Sequence, residues 1–287
     1  MSVDLWCEVA SPLKNPLKEA FLSYAKKLYE KKHILLSSYF PVVMGGDMPA
    51  EDYLINMPQE EIPKNYLTMG FGECSNSRFQ EKIIKSGIYT KAEIIGWFAE
   101  TMVVDTRRLG NKPVPESFFD LTKPCYKNEV CIIGTPQVPD PLAALFISKK
   151  LGLNKAQNFI ENIAGFGAPV NVIRHIGCSS NNFGSIFIIP LLFAEVCREI
   201  KFAAVIKPKE GYFAEPFILF SKENTNGNYS AIKAFFNSID FKDVLNNKKF
   251  ISNDKQAKDE IFSLCYATHF PELDKIYKLL CAKVSYC

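Results

Sequence analysis

The sequence lacks the short motifs that identify many enzymes and nucleotide-binding proteins. It contains no Walker loop, no GxGxxG opening a helix after the first strand and no HExxH. It also lacks an apolar run of membrane-spanning length, because SIFIIPLLFAEV is interrupted by Pro190 and ended by Glu195. We therefore expect no membrane span, and the sequence gives no support to a P-loop enzyme or an HExxH protease.

Paired cysteine spacing and an excess of one charge are absent as well. The 9 cysteines are an odd number, widely scattered and never in CxxC spacing, which favours free thiols over a disulfide framework. The 34 basic and 31 acidic residues leave a net charge of only +3, so no nucleic-acid partner is expected. With 287 residues, 47% of them hydrophobic, the chain can bury the core of one large or two medium-sized domains.

Strand and helix patterns alternate along the chain, which is typical of α/β proteins. An apolar strand at Val3–Val9 precedes a helical stripe from Leu13 to Tyr29. In the second half, the pattern predicts a helix over Asn154–Gly165 and a strand over Val170–Ile176. The apolar segment Ile186–Glu199 fits either one long helix or a short strand followed by a helix.

The most informative segment is Pro113–Asp140, which reads PVPESFFDLTKPCYKNEVCIIGTPQVPD. Val130–Ile133 is a compact apolar run typical of a strand covered on both faces, and turn residues follow it directly. Asp140 and Pro141 then indicate a helix start, with Asp at the cap and Pro at the first helical position. Because α/β proteins bind ligands where a strand end leads into a helix N-terminus, Thr135 and Asp140 are candidate ligand-binding residues.

Several segments, in their order along the chain, resemble a known family. Within Pro113–Lys127 the chain follows the pattern P-x-P-x-S-[WF]-x-D-L and then P-x-Y-K, ahead of the apolar strand. MGFGECSNSRFQEKIIKSGIY precedes this segment, and FAAVIKPKEGYFAEPFILFSK follows it, similar to a P-K-D-G-x-x-x-E-P return crossing. Together they resemble the type II periplasmic-binding-fold solute-binding proteins of ABC transporters, in the branch that binds iron or anions.

The resemblance implies an α/β fold with two lobes and two hinge crossings. We expect Glu100–Asp105 and Ala214–Phe220 to be these crossings, lying side by side, with a separate mixed sheet in each lobe. Lobe 1 would comprise residues 1–104 and 214–287, and lobe 2 would comprise residues 105–213. The implied function is capture of a small polar ligand by hinge closure, with an ABC-transporter permease as a possible partner.

Ligand contacts in such a protein come from loops at strand ends and from helix N-termini, where small residues let the backbone approach the ligand. Aligned helix N-termini favour an anion, and the few carboxylates in these loops disfavour a multivalent hard cation. The segment Gly177–Ser185 fits a plain surface turn equally well. The candidate ligand-binding residues are Ser11, Gly45, Gly46, Gly72, Glu73, Cys74, Ser75, Asn76, Thr135, Asp140, Gly177, Cys178, Ser179 and Ser180.

The sequence leaves open whether the chain binds a metal. Iron carriers of this family supply an adjacent pair of tyrosines, but the chain has Ile188 and Ile189 where that pair would align, which argues against ferric iron. A softer metal could instead use Cys74 and Cys178 with His175. Cysteines without CxxC spacing are, however, more typical of buried core positions.

No residue is predicted to be catalytic, and no cofactor is expected. Glu73 and Asp140 could act as a general acid and base, but two acidic residues in loops are commonplace. His175 and Cys178 are three positions apart, which on a strand places their side chains on opposite faces and disfavours a nucleophile–base pair. Glu215 is interpreted as a hydrogen-bonding anchor of the hinge. A non-enzymatic role is therefore favoured, and enzymatic activity is left open.

The sequence also leaves the cellular compartment open. The chain begins MSVDLWCEVASP, without a charged and apolar leader. If Met1 is native the protein is expected in the cytoplasm, and if a leader was removed it is expected in the periplasm or at the cell surface. The many cysteines favour the cytoplasm. The rival hypothesis is therefore a cytoplasmic metal-handling protein or a cofactor-biosynthesis enzyme that reuses the same fold.

Overall fold

A computed structural model describes most of the chain. The described residues are 3–9, 11–41, 57–58, 60–69, 87–177, 183–222, 228–253, 261–263 and 273–284. None of the helices in these ranges is long and apolar enough to cross a membrane. The cysteines whose state the structure describes are free, and they are Cys7, Cys125, Cys131, Cys197 and Cys281.

Strands and helices alternate through the described ranges, as the sequence predicts. The strands are β1 (Leu5–Glu8), β2 (Ser38–Tyr39), β3 (Asn65–Met69), β4 (Lys91–Asp105), β5 (Val130–Ile133), β6 (Ile163–Gly167), β7 (Ile186–Pro190), β8 (Ala203–Ile206), β9 (Tyr212–Ser221), β10 (Ile251–Ser252) and β11 (Ile261–Ser263). The α-helices are α1 (Ser11–Lys32), α2 (Thr106–Leu109), α3 (Leu142–Leu151), α4 (Leu153–Glu161), α5 (Pro169–His175), α6 (Leu191–Val196), α7 (Asn228–Phe236), α8 (Ile239–Asn247) and α9 (Leu273–Val284). Short 3-10 helices span Phe118–Thr122, Pro124–Tyr126 and Cys197–Glu199.

The described residues form two compact units. Unit 1 contains the described residues up to 69 together with 87–98 and 216–253. Unit 2 contains residues 99–177, 183–215, 261–263 and 273–284. Two long strands, β4 and β9, contribute residues to both units.

Unit 1 is built on parallel strands and one long helix. β1 lies between β2 and β3, parallel to both, and β3 pairs antiparallel with the second half of β9. On one face of these strands the ring of Tyr66 stacks on that of Phe220. The helical stripe predicted from Leu13 onward is confirmed, because Leu13, Leu17 and Phe21 of α1 are all buried.

The sheet of unit 2 has helices on both faces. β5 lies between β6 and β7, parallel to both, and β7 pairs antiparallel with the second half of β4. Because strand residues alternate between faces, Ile186 and Ile188 share a core with α3 and α4, whereas Phe187 and Ile189 share one with α5 and α6. This burial on both faces explains the unbroken apolar sequence of β5, as predicted.

The two crossing strands are hydrogen-bonded neighbours, which confirms that they lie side by side. The expectation of a separate sheet in each lobe is wrong. The strand order is β2-β1-β3-β9-β4-β7-β5-β6, with β8 and β10 paired to β4 and β11 paired to β9. Since β4 has 15 residues and β9 has 10, both strands are long enough to continue the ladder where the chain passes between units.

Local patterns in the second half are only partly confirmed. The predicted strand over Val170–Ile176 is instead the helix α5, because Pro169 sets a helical first position. The helix predicted over Asn154–Gly165 ends earlier, and its last residues belong to β6, which pairs with β5. The segment Ile186–Glu199 is a strand followed by a helix, which confirms the second of the two alternatives.

The last helix packs within unit 2. Ile276 and Leu280 of α9 are fully buried in the core that also contains Phe146 of α3 and Phe159 of α4. The predicted lobe 1 includes residues 214–287, and α9 lies within this range. A linear pattern identifies the apolar face of a helix, but it does not identify the surface on which that face packs.

Candidate functional site

Unit 2 contains three parallel strands that each lead into a helix. β5 ends at Ile133 ahead of α3, β6 ends at Gly167 ahead of α5, and β7 ends at Pro190 where α6 begins. Parallel neighbours end at the same edge of a sheet, and α/β proteins bind ligands at such edges. We call this region the strand-end edge, and it is the candidate functional site.

The turn between β5 and α3 has a tightly defined backbone. Gly134 adopts a φ of +118°, and a Cβ atom there would lie 2.5 Å from the carbonyl oxygen of Val138. The Thr135 N–H donates to that same carbonyl at 2.9 Å, while the Thr135 hydroxyl accepts the Val138 N–H at 3.1 Å. The predicted site residue Thr135 therefore closes the turn that leads to Asp140, and its contact with a ligand stays a prediction.

Asp140 stands at the start of α3, as predicted. Its carboxylate oxygen Oδ1 accepts the backbone N–H of Leu142 at 2.9 Å, and its own N–H donates to the carbonyl of Ile133 at 3.0 Å. The helix begins at Leu142, one position later than the sequence indicates. Because the Asp140 carboxylate already accepts the N–H at the first residue of α3, the N-terminus of this helix is less available to a bound anion.

Three buried carboxyl groups meet at the strand-end edge. Glu100 lies on β4 opposite Pro190, the last residue of β7, and only 3% of its surface is exposed. Asp140, ahead of α3, and Glu215, on β9, are each 8% exposed. Glu100 interacts electrostatically with both of the others and forms a side-chain hydrogen bond with Asp140. We call Glu100, Asp140 and Glu215 the carboxyl cluster.

Burial controls the protonation of the carboxyl cluster. Removal from water raises the pKa of Glu100 well above its usual range, and the negative charges of Asp140 and Glu215 raise it further. Burial also raises the pKa of Asp140 to about 7, although hydrogen bonds from the Leu142 amide and from Glu100 oppose the rise. Glu100 is therefore the proton donor in the pair, and the two groups titrate as one unit.

Two side chains hold the backbone of Gly177 by hydrogen bonds. Its N–H donates to Oδ2 of the buried Asp105 at 2.8 Å, and its carbonyl accepts from the guanidinium of Arg107 at 2.8 Å. The φ of Gly177 is +80°, which suits glycine. These bonds anchor the end of α5, and the ligand contact predicted for Gly177 stays a prediction.

Most of the other predicted site residues lie outside the part of the chain that the structure describes. Ser11 is the first residue of α1, and its side chain is outside what the structure describes. The remaining candidates also lie outside the described residues, and they are Gly45, Gly46, Gly72, Glu73, Cys74, Ser75, Asn76, Cys178, Ser179 and Ser180.

Sequence reasoning missed one acidic strand residue in each unit. Glu100 is predicted only as the first residue of a crossing strand, and Glu8 at the end of β1 in unit 1 is not among the candidate residues. The Tyr66 hydroxyl donates a hydrogen bond to the carboxylate of Glu8, whose pKa is raised by burial against the effect of that bond. In both cases the available signal was a glutamate beside apolar strand residues, since β1 reads LWCE and the middle of β4 reads IIGWFAETMVV.

The described part of the chain shows no metal centre. No group of three or more His, Cys, Asp or Glu side chains in those residues could hold a metal ion. Ile188 and Ile189, where the tyrosines of iron carriers would align, are buried in β7 and supply no oxygen ligand. The ring of His175 stacks on that of Phe183, with 4.3 Å between centroids. The cysteines of the soft-metal alternative lie outside the described ranges.

Comparison with sequence families gives one extended match. The sequence matches the model of a family described as bacterial extracellular solute-binding protein over residues 61–279. A search of curated proteins gave no match.

Solved structures with a similar fold are binding proteins. The periplasmic binding protein AfuA from Actinobacillus pleuropneumoniae, with fructose-6-phosphate bound, has 14% identity and a TM-score of 0.62, over 100% of this chain and 99% of that one. Ferric iron-binding protein A from Mannheimia haemolytica, in an open conformation, has 12% identity and a TM-score of 0.63, over 100% and 98% of the two chains. The Trichodesmium protein IdiA (FutA), in complex with iron and citrate, has 11% identity and a TM-score of 0.63, over 99% and 98%. These similarities confirm the predicted α/β class and the two-lobe type II periplasmic-binding fold.

Proposed function

Because the chain belongs to the bacterial extracellular solute-binding protein family, we propose that it captures a small polar anion by closing two lobes around it and passes it to an ABC-transporter permease. Solute binding of the ABC-transporter type is the role of the family. The rival hypothesis, a cytoplasmic metal-handling protein or a cofactor-biosynthesis enzyme, gains no support from the family match.

The observation that carries this proposal is the strand-end edge of unit 2. Three strand ends lead into helix starts there, and whereas Asp140 caps α3, no side chain caps α5 or α6. The N–H groups at an uncapped helix start carry partial positive charge, which stabilises anions. Two structural neighbours lend support, since one holds fructose-6-phosphate and another holds iron with citrate. Ile188 and Ile189 in place of a tyrosine pair favour an anion over ferric iron.

Asp140 restricts where an anion would bind. The Asp140 carboxylate already accepts a hydrogen bond from the backbone N–H of Leu142, and the carboxyl group of Glu100 lies beside that of Asp140. We therefore assign the anion contacts to the small-residue segments Gly72–Asn76 and Gly177–Ser185, which the sequence predicts as candidate ligand loops. Serine hydroxyls and backbone N–H groups in such loops would donate to the oxygen atoms of the anion.

Capture is proposed to occur by hinge closure. A ligand that binds the closed form more tightly than the open form shifts the equilibrium toward the closed form. β4 and β9 would serve as the hinge, because these two strands contribute residues to both units. Their pairing allows both crossings to bend together.

A ligand panel tests this function. The purified protein is melted alone and with fructose-6-phosphate, inorganic phosphate, citrate or ferric citrate, and its dimensions are measured by small-angle X-ray scattering. An anion at about 100 times its Kd should add about 2.7 kcal/mol to the free energy of unfolding. It should also reduce the radius of gyration. Stabilisation by ferric citrate but not by citrate would contradict an anionic solute, and stabilisation without compaction would contradict hinge closure.

A further inference from the structure

Unit 1 contains a pocket that shares no residue with the segments assigned to the anion. Its volume of about 320 Å³ lies at the lower end of the range of about 300 to 1,000 Å³ that small-molecule sites occupy. The lining comes from β4, β9 and α8 and from the ends of α7 and β10, and every lining residue belongs to unit 1. We call it the unit 1 pocket. Its size suits a small solute, and unit 1 alone supplies the lining.

Two opposite charges lie side by side in the unit 1 pocket. The Lys233 ammonium group on α7 donates to Oε1 of Glu93 on β4 at 2.6 Å, and the Tyr229 hydroxyl donates to the same oxygen at 2.9 Å. Although burial opposes them, these hydrogen bonds lower the pKa of Glu93, so its carboxylate is ionised at neutral pH. The Lys233 and Glu93 side chains are 44% and 35% exposed, so a solute can reach both.

This ion pair leaves hydrogen-bonding groups unused among the described residues. An ammonium group has three N–H donors, and Lys233 gives only one of them to Glu93. The second carboxylate oxygen of Glu93, Oε2, accepts no hydrogen bond from the described part of the chain. Lys242 on α8 adds a second ammonium group to the lining. The pocket therefore presents donors and an acceptor to a solute.

Two asparagines add further acceptors. The side-chain amide nitrogen of Asn237, after α7, donates to the carbonyl of Lys233 at 2.9 Å. The amide nitrogen of Asn253, after β10, donates to the carbonyl of Ile94 at 2.7 Å. Each amide is thus fixed through its nitrogen, and its oxygen receives no hydrogen bond from the described residues. Both residues are exposed, so a solute bearing donors can reach these oxygens.

The unit 1 pocket also has an apolar wall. Ile95, Leu219 and Phe236 line it beside the polar groups, and Leu219 and Phe236 are almost fully buried. An apolar group that packs against this wall is removed from water, which favours binding. The complementary solute therefore carries charges of both signs and a small apolar part.

We propose that the unit 1 pocket binds a small zwitterion with an apolar side chain, of the α-amino-acid class. The carboxylate accepts hydrogen bonds from Lys233, the ammonium group donates to the side-chain oxygen of Asn253, and the apolar side chain packs on Phe236. A simple anion would face the Glu93 carboxylate, and a simple cation would face two lysines, so both are disfavoured relative to a zwitterion. This site is additional to the proposed anion capture and does not depend on hinge closure.

The test uses three probes with the same branched apolar group. They are L-leucine, isocaproate, which lacks the ammonium group, and isoamylamine, which lacks the carboxylate. Amide chemical shifts of the isotope-labelled protein should show L-leucine at Ile95, Asn237 and Asn253 with a Kd of about 1 mM or tighter. Each of the other probes should bind at least about 10-fold more weakly, because it lacks one charged partner. No saturable shift at about 10 mM L-leucine, or equal binding of either other probe, would overturn the proposal.

A matched pair of lysine variants locates the site. Lys233→Met should weaken L-leucine binding at least about 10-fold, whereas Lys248→Met, at an exposed lysine outside the pocket, should bind as the wild type. Equal binding by both variants would refute the assignment. If Lys233→Met does not fold, Asn253→Ala is measured in its place, with the same expected loss and the same refuting result. Lys233→Met should respond to the ligand panel as the wild type does, so this proposal and anion capture can fail separately.

Discussion

The carboxyl group of Glu100 on β4 donates a hydrogen bond to the carboxyl group of Asp140 at the start of α3. The two residues are far apart in sequence, and both are buried. They meet because β7 pairs with β4 on one side and with β5 on the other. This hydrogen bond connects β4, a strand shared by both units, to the turn that the sequence predicts as part of the ligand site.

The Glu100–Asp140 bond predicts different effects for two substitutions at one position. Glu100→Gln keeps a donor for the Asp140 carboxylate and should change the free energy of unfolding by less than about 1.5 kcal/mol. Glu100→Ala leaves the buried Asp140 carboxyl group without that donor and should cost about 1 to 3 kcal/mol at pH 7. Urea unfolding measures both. Equal losses for the two variants would show that the hydrogen bond contributes nothing.

Asp4 should stabilise unit 1 at neutral pH and lose this effect in acid. Its carboxylate accepts hydrogen bonds from Ser37, Lys64 and Asn228, and although burial opposes them, these bonds lower its pKa. A lowered pKa in the folded state gives stability above about pH 4 that disappears as the pH falls further. Asp4→Ala should cost about 3 kcal/mol at pH 7. The same change at Asp240, in an exposed ion pair, should cost less than about 1 kcal/mol.

Gly134 is required by the geometry of the β5–α3 turn. Gly134→Ala combines a strained φ with a Cβ only 2.5 Å from the carbonyl oxygen of Val138, so the turn must move. Gly152 also has a positive φ, of +85°, but its Cβ position has nothing within 4 Å. We expect Gly152→Ala to cost about 1 to 3 kcal/mol and Gly134→Ala to cost more. Equal melting temperatures would contradict a role for close packing at this turn.

Anion capture predicts that serine side chains matter more than the cysteines beside them. Ser75→Leu or Ser179→Leu should abolish binding of whichever anion the ligand panel identifies, because a bulky apolar side chain replaces a donor. Cys178→Ser should retain binding. Isothermal titration calorimetry and elemental analysis distinguish the alternatives. Release of a bound metal by Cys178→Ser or Cys74→Ser, with little effect of the serine changes, would favour the thiolate-metal hypothesis.

The last helix should be essential for the stability of unit 2. Leu280 is fully buried in the core with Phe146 and Phe159, so Leu280→Ala should cost about 2 to 5 kcal/mol. Ile239→Ala, at a side chain that is 68% exposed on α8, should change stability by no more than about 0.5 kcal/mol. Denaturant unfolding checks both. A small effect of Leu280→Ala would show that α9 does not contribute to this core.

Sequence patterns predicted correctly those elements that are determined by residues close together in the chain. The apolar run of β5, the Asp140 carboxylate at the start of α3 and the buried stripe of α1 depend on spacing and capping, which neighbouring residues determine. The predicted strand over Val170–Ile176 failed for a related reason. The β-branched composition favours a strand, but Pro169 and packing against the sheet favour a helix.

The sequence by itself determined the α/β pattern and the position of Asp140 ahead of a helix, and its resemblance to a known family implied the side-by-side crossings. Only the tertiary structure decided that Glu100 and Glu215 join Asp140, and that the last helix packs in unit 2. The reason is physical. Periodicity and capping act within a few residues, whereas burial and charge interaction depend on which distant segments meet. A glutamate in a strand acquires its protonation state only when the fold removes it from water and places other carboxyl groups beside it.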